Sequence, residues 1–504
     1  MATITDAVQL TLEQKIVPTI FESLWELDPV YPMIRRSSMN VVRNTGIGRG
    51  WQVLKTWVTG VAGGAKFQSA AGGNTLSGPL GFNMYDTPQS FQAVDEVTAP
   101  AFIQSNVTLI EHRGNFYLPH QILRADRLNA SIGSVVAQNL KGVADLLAQQ
   151  EAAIFYSSSS STGELADIGD SSANVANKTS PSADTSVMII DLSGTNASGR
   201  VHRFRSGMMV DLYDSTGTTQ RNVGYYLVVD NVDPLDDKVH LRRVDGGTFQ
   251  TSTTLGGGVT YAGAGGDNDI IVIKDSVNQA PKGLESWIAD GSTVTSFFGI
   301  DVRNYSQFRS YVPSALSAAL TENLLNRHMA KFFESFPGQK IDTMLTTMGV
   351  LIGFIDNLDS GAQAGSNAAS GRFRYDRNGM PLTVEAGWEA FRYRFASRSV
   401  EIFTSTYCNS GTAYAGKIRG GGLTRYVPPP IPGAKVDSRF GTEVEFVAPI
   451  GGSGGMQGIF KHAHGTTGAT TDFVEAPFVR QWNVMPGPQS KNWMKLTGIT
   501  EVLG

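Results

Sequence analysis

One cysteine, Cys408, stands in 504 residues. A lone thiol excludes an internal disulfide and any multi-cysteine zinc site, and its ordinary role is that of a small buried hydrophobe. Charge is also scarce, at 17% of the chain against about a quarter in ordinary soluble proteins. Neither sign dominates: 41 Lys and Arg face 45 Asp and Glu, a net of −4. That balance excludes gripping nucleic acid by bulk charge, because such binding scales with the phosphates neutralised. A wall that only encloses nucleic acid stays compatible with it. No run approaches about 18 uninterrupted apolar residues, so no membrane-spanning helix is expected. Met1 to Lys15 lacks a basic region leading into an apolar core, so no secretory signal is expected.

Enzyme motifs are missing too. No paired-carboxylate, H-E-x-x-H or dinucleotide fingerprint occurs. Gly411 to Ile418 nearly matches a phosphate-binding loop, but Ile418 has no hydroxyl for magnesium and Arg419-Gly420-Gly421-Gly422 cannot open the helix that would hold the phosphates, so the stretch reads as a turn. Gly451 to Gly455 matches a nucleophile elbow around Ser453 by glycine content alone. His464 precedes Asp472, the wrong chain order for that triad. His462 and His464 could share a strand face as metal ligands, but no third ligand is evident and exposed polar residues are the simpler reading. Asp267 and Asp269 lack the glycine and final glutamate of a calcium loop. No cofactor and no metal is expected, and the chain reads as a non-enzyme.

What fills the space is glycine, serine, threonine and asparagine. Glycine alone numbers 56, about 11% against a usual ~7%. Apolar residues at 41% and aromatics at 9% still suffice for real cores, which excludes disorder. The composition points to a turn-rich, β-heavy architecture with much surface facing other protein, and with the helices predicted below the fold class is α+β.

Residues 1–45 carry a short helical stripe, Ile16, Ile20, Phe21, Leu24 and Trp25, interrupted by Pro18 and stopped by Asp28-Pro29. The stripe suits an arm docked on a neighbour, or equally a helix on the chain's own core. Residues 46–110 read as an extended β-hairpin: strand-like runs around Trp51 to Trp57 and Phe102 to Ile110 flank a small-residue tip containing Lys66 and Phe67. An isolated hairpin is marginal in water, so it needs a surface to lie on. Within 111–176 a one-sided apolar stripe from Ser131 to Tyr156 predicts a long helix. Five short apolar runs in 177–276 predict an inserted small β-barrel or sandwich. Residues 277–430 turn α+β: Thr321 can cap a helix ending at Phe336, with His328 as a hydrogen-bonded core histidine. A strand (Lys340 to Leu345), a helix (Met348 to Leu358) and a strand (Ser399 to Phe403) follow, and Val427 to Pro432 reads as a stiff linker. Residues 431–504 carry a strand at Thr442 to Val447 and mixed strand and coil from Trp482.

The order of these segments resembles the major capsid proteins of tailed bacteriophages, with the fold first associated with the Hong Kong phage lineage. The matching text is Lys15-Ile-Val-Pro-Thr-Ile-Phe-Glu-Ser-Leu-Trp-Glu-Leu with Tyr31-Pro-Met-Ile-Arg-Arg, the glycine-rich entry Gly46 to Trp51, Asn115 to Tyr156, and Pro281-Lys-Gly-Leu284 through Gly299-Ile-Asp301 to Gly349. The resemblance implies an N-terminal arm, an extended β-hairpin loop, a peripheral domain with a long spine helix and an axial domain, the 177–276 unit being an insertion. It implies a homo-oligomer of pentamers and hexamers in an icosahedral shell enclosing double-stranded DNA, built in the host cytoplasm and located in the virion. Portal, scaffold and decoration proteins are the further partners it suggests. Ile16, Ile20, Phe21, Trp25, Trp51, Trp57, Lys66 and Phe67 are the expected inter-subunit contacts. Some family members cross-link a hairpin lysine; Lys66 lies in the right segment, but no partner asparagine can be assigned, and it reads as a solvated tip charge. The alternative is another β-rich virion component, such as a decoration, tail or adhesin protein.

Overall fold

In a computed structural model, the residues described are 28, 33–43, 51–59, 102–119, 132–156, 163–168, 178–179, 187–192, 198–214, 216–247, 254–255, 259–260, 269–363, 391–395, 398–429, 444–446, 461–464 and 470–501. The first part forms β1 (Arg35–Ser37), β2 (Val41–Arg43), β3 (Trp51–Val58), β4 (Phe102–Thr108), β5 (Ile110–Pro119) and helix α1 (Ile132–Phe155). Next come β6 (Glu164–Asp167), β7 (Lys178–Thr179), β8 (Val187–Asp191), β9 (Ser198–Gly199), β10 (Met209–Tyr213), β11 (Leu227–Asp233) and β12 (Lys238–Arg243). Short β13 (Thr254–Leu255) and β14 (Val259–Thr260) precede β15 (Ile270–Ile273). Then follow α2 (Leu284–Trp287), β16 (Ser296–Phe297), β17 (Ile300–Asp301), α3 (Glu322–Ser335), β18 (Thr343–Thr346) and α4 (Met348–Gln363). The last part holds β19 (Phe391–Phe395), β20 (Arg398–Thr404), β21 (Ala413–Gly416) and β22 (Leu423–Tyr426). It ends with β23 (Val444–Phe446), β24 (Lys461–His464), β25 (Thr470–Pro486) and β26 (Met494–Leu496).

Helix α3 starts where Thr321 accepts the Leu324 amide and stops at Phe336. Its Leu325, Met329 and Phe332 join Val350, Leu351 and Phe354 of α4 in one core against the sheet β19-β20-β18-β21-β26. His328 is buried and bonds the Tyr311 hydroxyl through Nδ1 at 2.9 Å. Burial, with Lys331 and Arg327 nearby, pulls its pKa down, as expected of a core histidine. Cys408 is fully buried as well, and burial pushes its thiol up and out of reach of reactivity.

A second sheet is organised by β25, which pairs antiparallel with β5 from Phe473↔Pro119 to Trp482↔Ile110 and also with β22, β23 and β24; β1 adds to β22 in parallel. Helix α1 packs here. At 1.5 Å per residue its 24 residues run about 36 Å. The stripe expected along it gives way near the end: residues 147–156 are buried on every side, Gln149, Gln150 and Glu151 included. Each of the three has a polar partner in the protein. Gln149 donates to the carbonyls of His202 and Phe204, Gln150 pairs with His112 at 2.8 Å, and Glu151 takes Arg425 at 3.2 Å. Such satisfaction is what permits a charge in a core.

The third sheet is antiparallel throughout, in the order β7-β8-β12-β11-β10-β15-β6-β9. Val210, Leu212, Leu227, Val229, Val239, Leu241 and Ile271 fill its core, each worth about 1.5–3 kcal/mol when fully buried.

Several expectations are corrected. The sheet of the inserted unit begins upstream of 177, because Glu164–Asp167 pairs with Ile270–Ile273. The stretch read as a turn at Gly411 to Ile418 contains β21, a fully buried strand. There Gly416 lies flat under Trp493, and a Cβ would stand 2.3 Å from its ring. The proline run starts inside the core, with Val427 buried and its amide bonded to the Ser37 carbonyl, rather than as a free linker. The mixed strand and coil read from Trp482 begins as the end of a 17-residue strand, Thr470–Pro486.

Candidate assembly surface: the ribbon and its root

Strands β2, β3 and β4 make a three-stranded antiparallel ribbon, with Gln52↔Thr108 to Val58↔Phe102 in register. Period-two alternation divides its faces: Val53, Trp57, Ser105 and Val107 are buried, while Thr56, Gln104, Asn106 and Thr108 are exposed. Asn40, at φ 63°, supplies the left-handed turn between β1 and β2, and its carbonyl takes the Leu54 amide at 3.1 Å.

The root is pinned to the chain's own body. Trp57 meets Phe297 and Phe308 edge-on, at centroid distances of 5.7 and 5.5 Å, and its indole donates to Ser105 Oγ at 2.9 Å. Lys55 lies over the Trp57 ring at 4.4 Å and donates to the Pro486 carbonyl at 2.6 Å. Burial pulls the Lys55 ammonium down to about 8. Asn483 donates to the Thr108 carbonyl at 2.9 Å.

The opposite face is different one residue beyond Trp57. Val58 and Phe102 face each other across the strands, 58% and 60% exposed, where the chain leaves for residues 60–101. Met39 and Val42 are exposed near the β2 edge. The ribbon therefore carries a large exposed apolar pair directly beside, and on the opposite face from, its Trp57 anchor.

Of the eight expected contact residues, the structure describes two. Trp57 is spent on packing within its own chain, and Trp51 is half-buried against the same core. Ile16, Ile20, Phe21, Trp25, Lys66 and Phe67 lie outside the described residues. From the arm, Asp28 is fully buried beside Tyr156 and Tyr407. Burial first, and the Asp28 charge second, push the Tyr407 phenol to about 12 and raise that of Tyr156. Val58 and Phe102 went unnoticed in the sequence, although both sit on the alternation that marks the strands.

Among the described residues no group of three His, Cys, Asp or Glu side chains could hold a metal ion, and no helix is long and apolar enough to cross a membrane. The Asp269 carboxylate is taken by Arg221 at 3.2 Å.

No protein-family model matches the chain, and no curated protein sequence does. Solved structures similar to it include phage structures and, over 38% of this chain at 10% identity and TM-score 0.20, the holo-SrpI encapsulin complex of Synechococcus elongatus PCC 7942. A capsid asymmetric unit of cyanophage A-1(L) matches at 9% identity and TM-score 0.40, over 94% of this chain and 93% of that one. A structure from Mycobacterium phage Bobi matches at 9% identity and TM-score 0.33, over 94% and 90%. The capsid structure of cyanophage P-SCSP1u matches at 9% identity and TM-score 0.27, over 92% and 88%.

Proposed function

We propose that this chain is a structural subunit of a tailed-phage head, assembling through copies of itself into pentamers and hexamers of a closed shell around double-stranded DNA. The observation that supports the reading is the ribbon: one face is fixed to the body by Trp57 and Lys55, and the other presents the Val58–Phe102 pair to solvent where the chain enters residues 60–101. Under this reading the exposed pair, and the hairpin expected to continue from it, lie on a neighbour's surface. In closed symmetry every subunit both gives and receives such a ribbon, and many modest contacts add as avidity. The net charge of −4 suits an inner wall that leaves packaged DNA unbound. Under this reading the 1–45 arm reaches a second neighbour through Ile16, Ile20, Phe21 and Trp25, starting from the buried anchor at Asp28. Portal, scaffold and decoration proteins would meet the finished shell.

The test is deletion of residues 60–81. Secondary structure and the urea midpoint of the subunit are expected to stay as in the full chain, while particle formation is lost or weakened. Shells of unchanged yield and stability from the deleted chain would remove the ribbon from the assembly role.

A further inference from the structure

The eight-stranded sheet is joined to the rest of the chain by a buried cation. Arg203 ends a short 3₁₀ turn, Val201–Arg203, and is 1% exposed. Its guanidinium donates to the Tyr156 carbonyl at 3.1 Å, the Leu165 carbonyl at 2.9 Å, the Tyr407 carbonyl at 2.6 and 3.0 Å, and Asn409 Oδ1 at 2.6 Å. These acceptors come from three separate places: the end of α1, strand β6, and the loop between β20 and β21.

Each acceptor has a reason to need it. The Tyr156 carbonyl is among those a helix leaves without an intrahelical partner, and the last turn of α1 has no basic residue of its own. The β20–β21 loop is itself tied in further. Asn409 donates to Glu285 and Tyr414, both at 3.3 Å, and Glu285 also accepts from Tyr414 and from Lys495 on β26. Farther along, the Gly411 amide and the Thr347 hydroxyl meet Glu501 at 2.6 and 2.7 Å, and Arg200 reaches Ser410 at 3.0 Å. Removing the guanidinium strands oxygens in a closed interior, which costs far more than one exposed hydrogen bond.

We propose that Arg203 is a keystone. It makes the inserted sheet, the C-terminal part of α1 and the 405–412 loop a single mechanical body. The sheet is then no removable appendage, and any rearrangement of the chain hinges outside these three pieces. Nothing in this depends on shell formation.

The test is urea unfolding of the full-length chain, followed by tryptophan fluorescence and by hydrogen exchange with mass spectrometry. All seven tryptophans lie outside 163–276, so fluorescence reports the body while exchange in β10 and β15 reports the sheet. The unaltered chain is expected to lose both signals in one transition. Arg203→Met is expected to separate the two transitions and to speed exchange in 150–156 and 405–412 about tenfold or more, the factor that goes with ~1.4 kcal/mol of lost hydrogen bonding. Arg203→Lys keeps the charge but cannot span the acceptors, and is expected to act in the same direction. Should Arg203→Met fail to fold, Arg203→Lys and Asn409→Ala decide by the same two readouts. A single shared transition with unchanged exchange at 150–156 and 405–412 in the folded variants overturns the proposal, as does an unaltered chain that already unfolds in two steps.

Discussion

Lys55 holds its proton less tightly in the folded chain than in the unfolded one, because burial draws it from 10.5 to about 8. The unfolded chain therefore binds the extra proton between about pH 8 and pH 10.5, and stability rises with pH through that window and is flat below it. The urea midpoint measured at about pH 8, 9 and 10 is expected to climb less steeply in Lys55→Met than in the unaltered chain, the remaining slope coming from Lys282 and Lys491, whose ammonium groups burial also lowers. The buried Glu151–Arg425 pair makes a second residue-scale prediction. Arg425 also lies over the Trp482 ring, at 4.8 Å. Glu151→Ala strands a buried cation and is expected to cost about 3–5 kcal/mol in urea unfolding, whereas Glu151→Leu with Arg425→Met is expected to recover much of the loss. None of these roles is legible in the sequence. Arg and Glu are almost never fully buried unless paired, and partners such as Glu151 and Arg425 lie far apart along the chain. His328 and Cys408 could be read, since an apolar stripe and a lone thiol each point to the core with local information alone.

At the scale of elements, the ribbon separates folding from assembly. Val58→Asp and Phe102→Asp alter exposed positions and lose only their own cross-strand pair and strand propensity, so subunit stability is expected to fall by no more than about 1–2 kcal/mol. Particle yield in a light-scattering assembly assay is expected to fall sharply for either one. Unchanged yield would mean that the exposed pair faces solvent in the particle. Elements with strong local signals were legible: α1 and α3 from period 3.6, the α3 start from Thr321, and β3 and β4 from alternation across a polar tip. Strand β25 was not. Pro477 interrupts its pattern, and it is tolerated because it falls between the stretches that pair with β24 and β23. What holds β25 straight is β5, a partner far back in the chain, and long-range pairing leaves no short-range signature. The same reason moved the start of the inserted sheet to Glu164: its pairing with β15 crosses the whole unit.

At the scale of the molecule, the proposed function makes this a chain whose energy minimum includes its neighbours, and low charge and a ribbon with one exposed apolar pair support that reading. Charged residues at 17% leave much of the surface free to meet protein without desolvation penalties. Trp57, Lys55, Asp28 and Arg203 anchor the described residues to one another. Electron microscopy of the purified full-length chain at high concentration tests this most directly. Closed shells, or five- and six-fold capsomers, are the expected result. A stable monomer whose 60–101 segment lies packed on its own body would contradict the account.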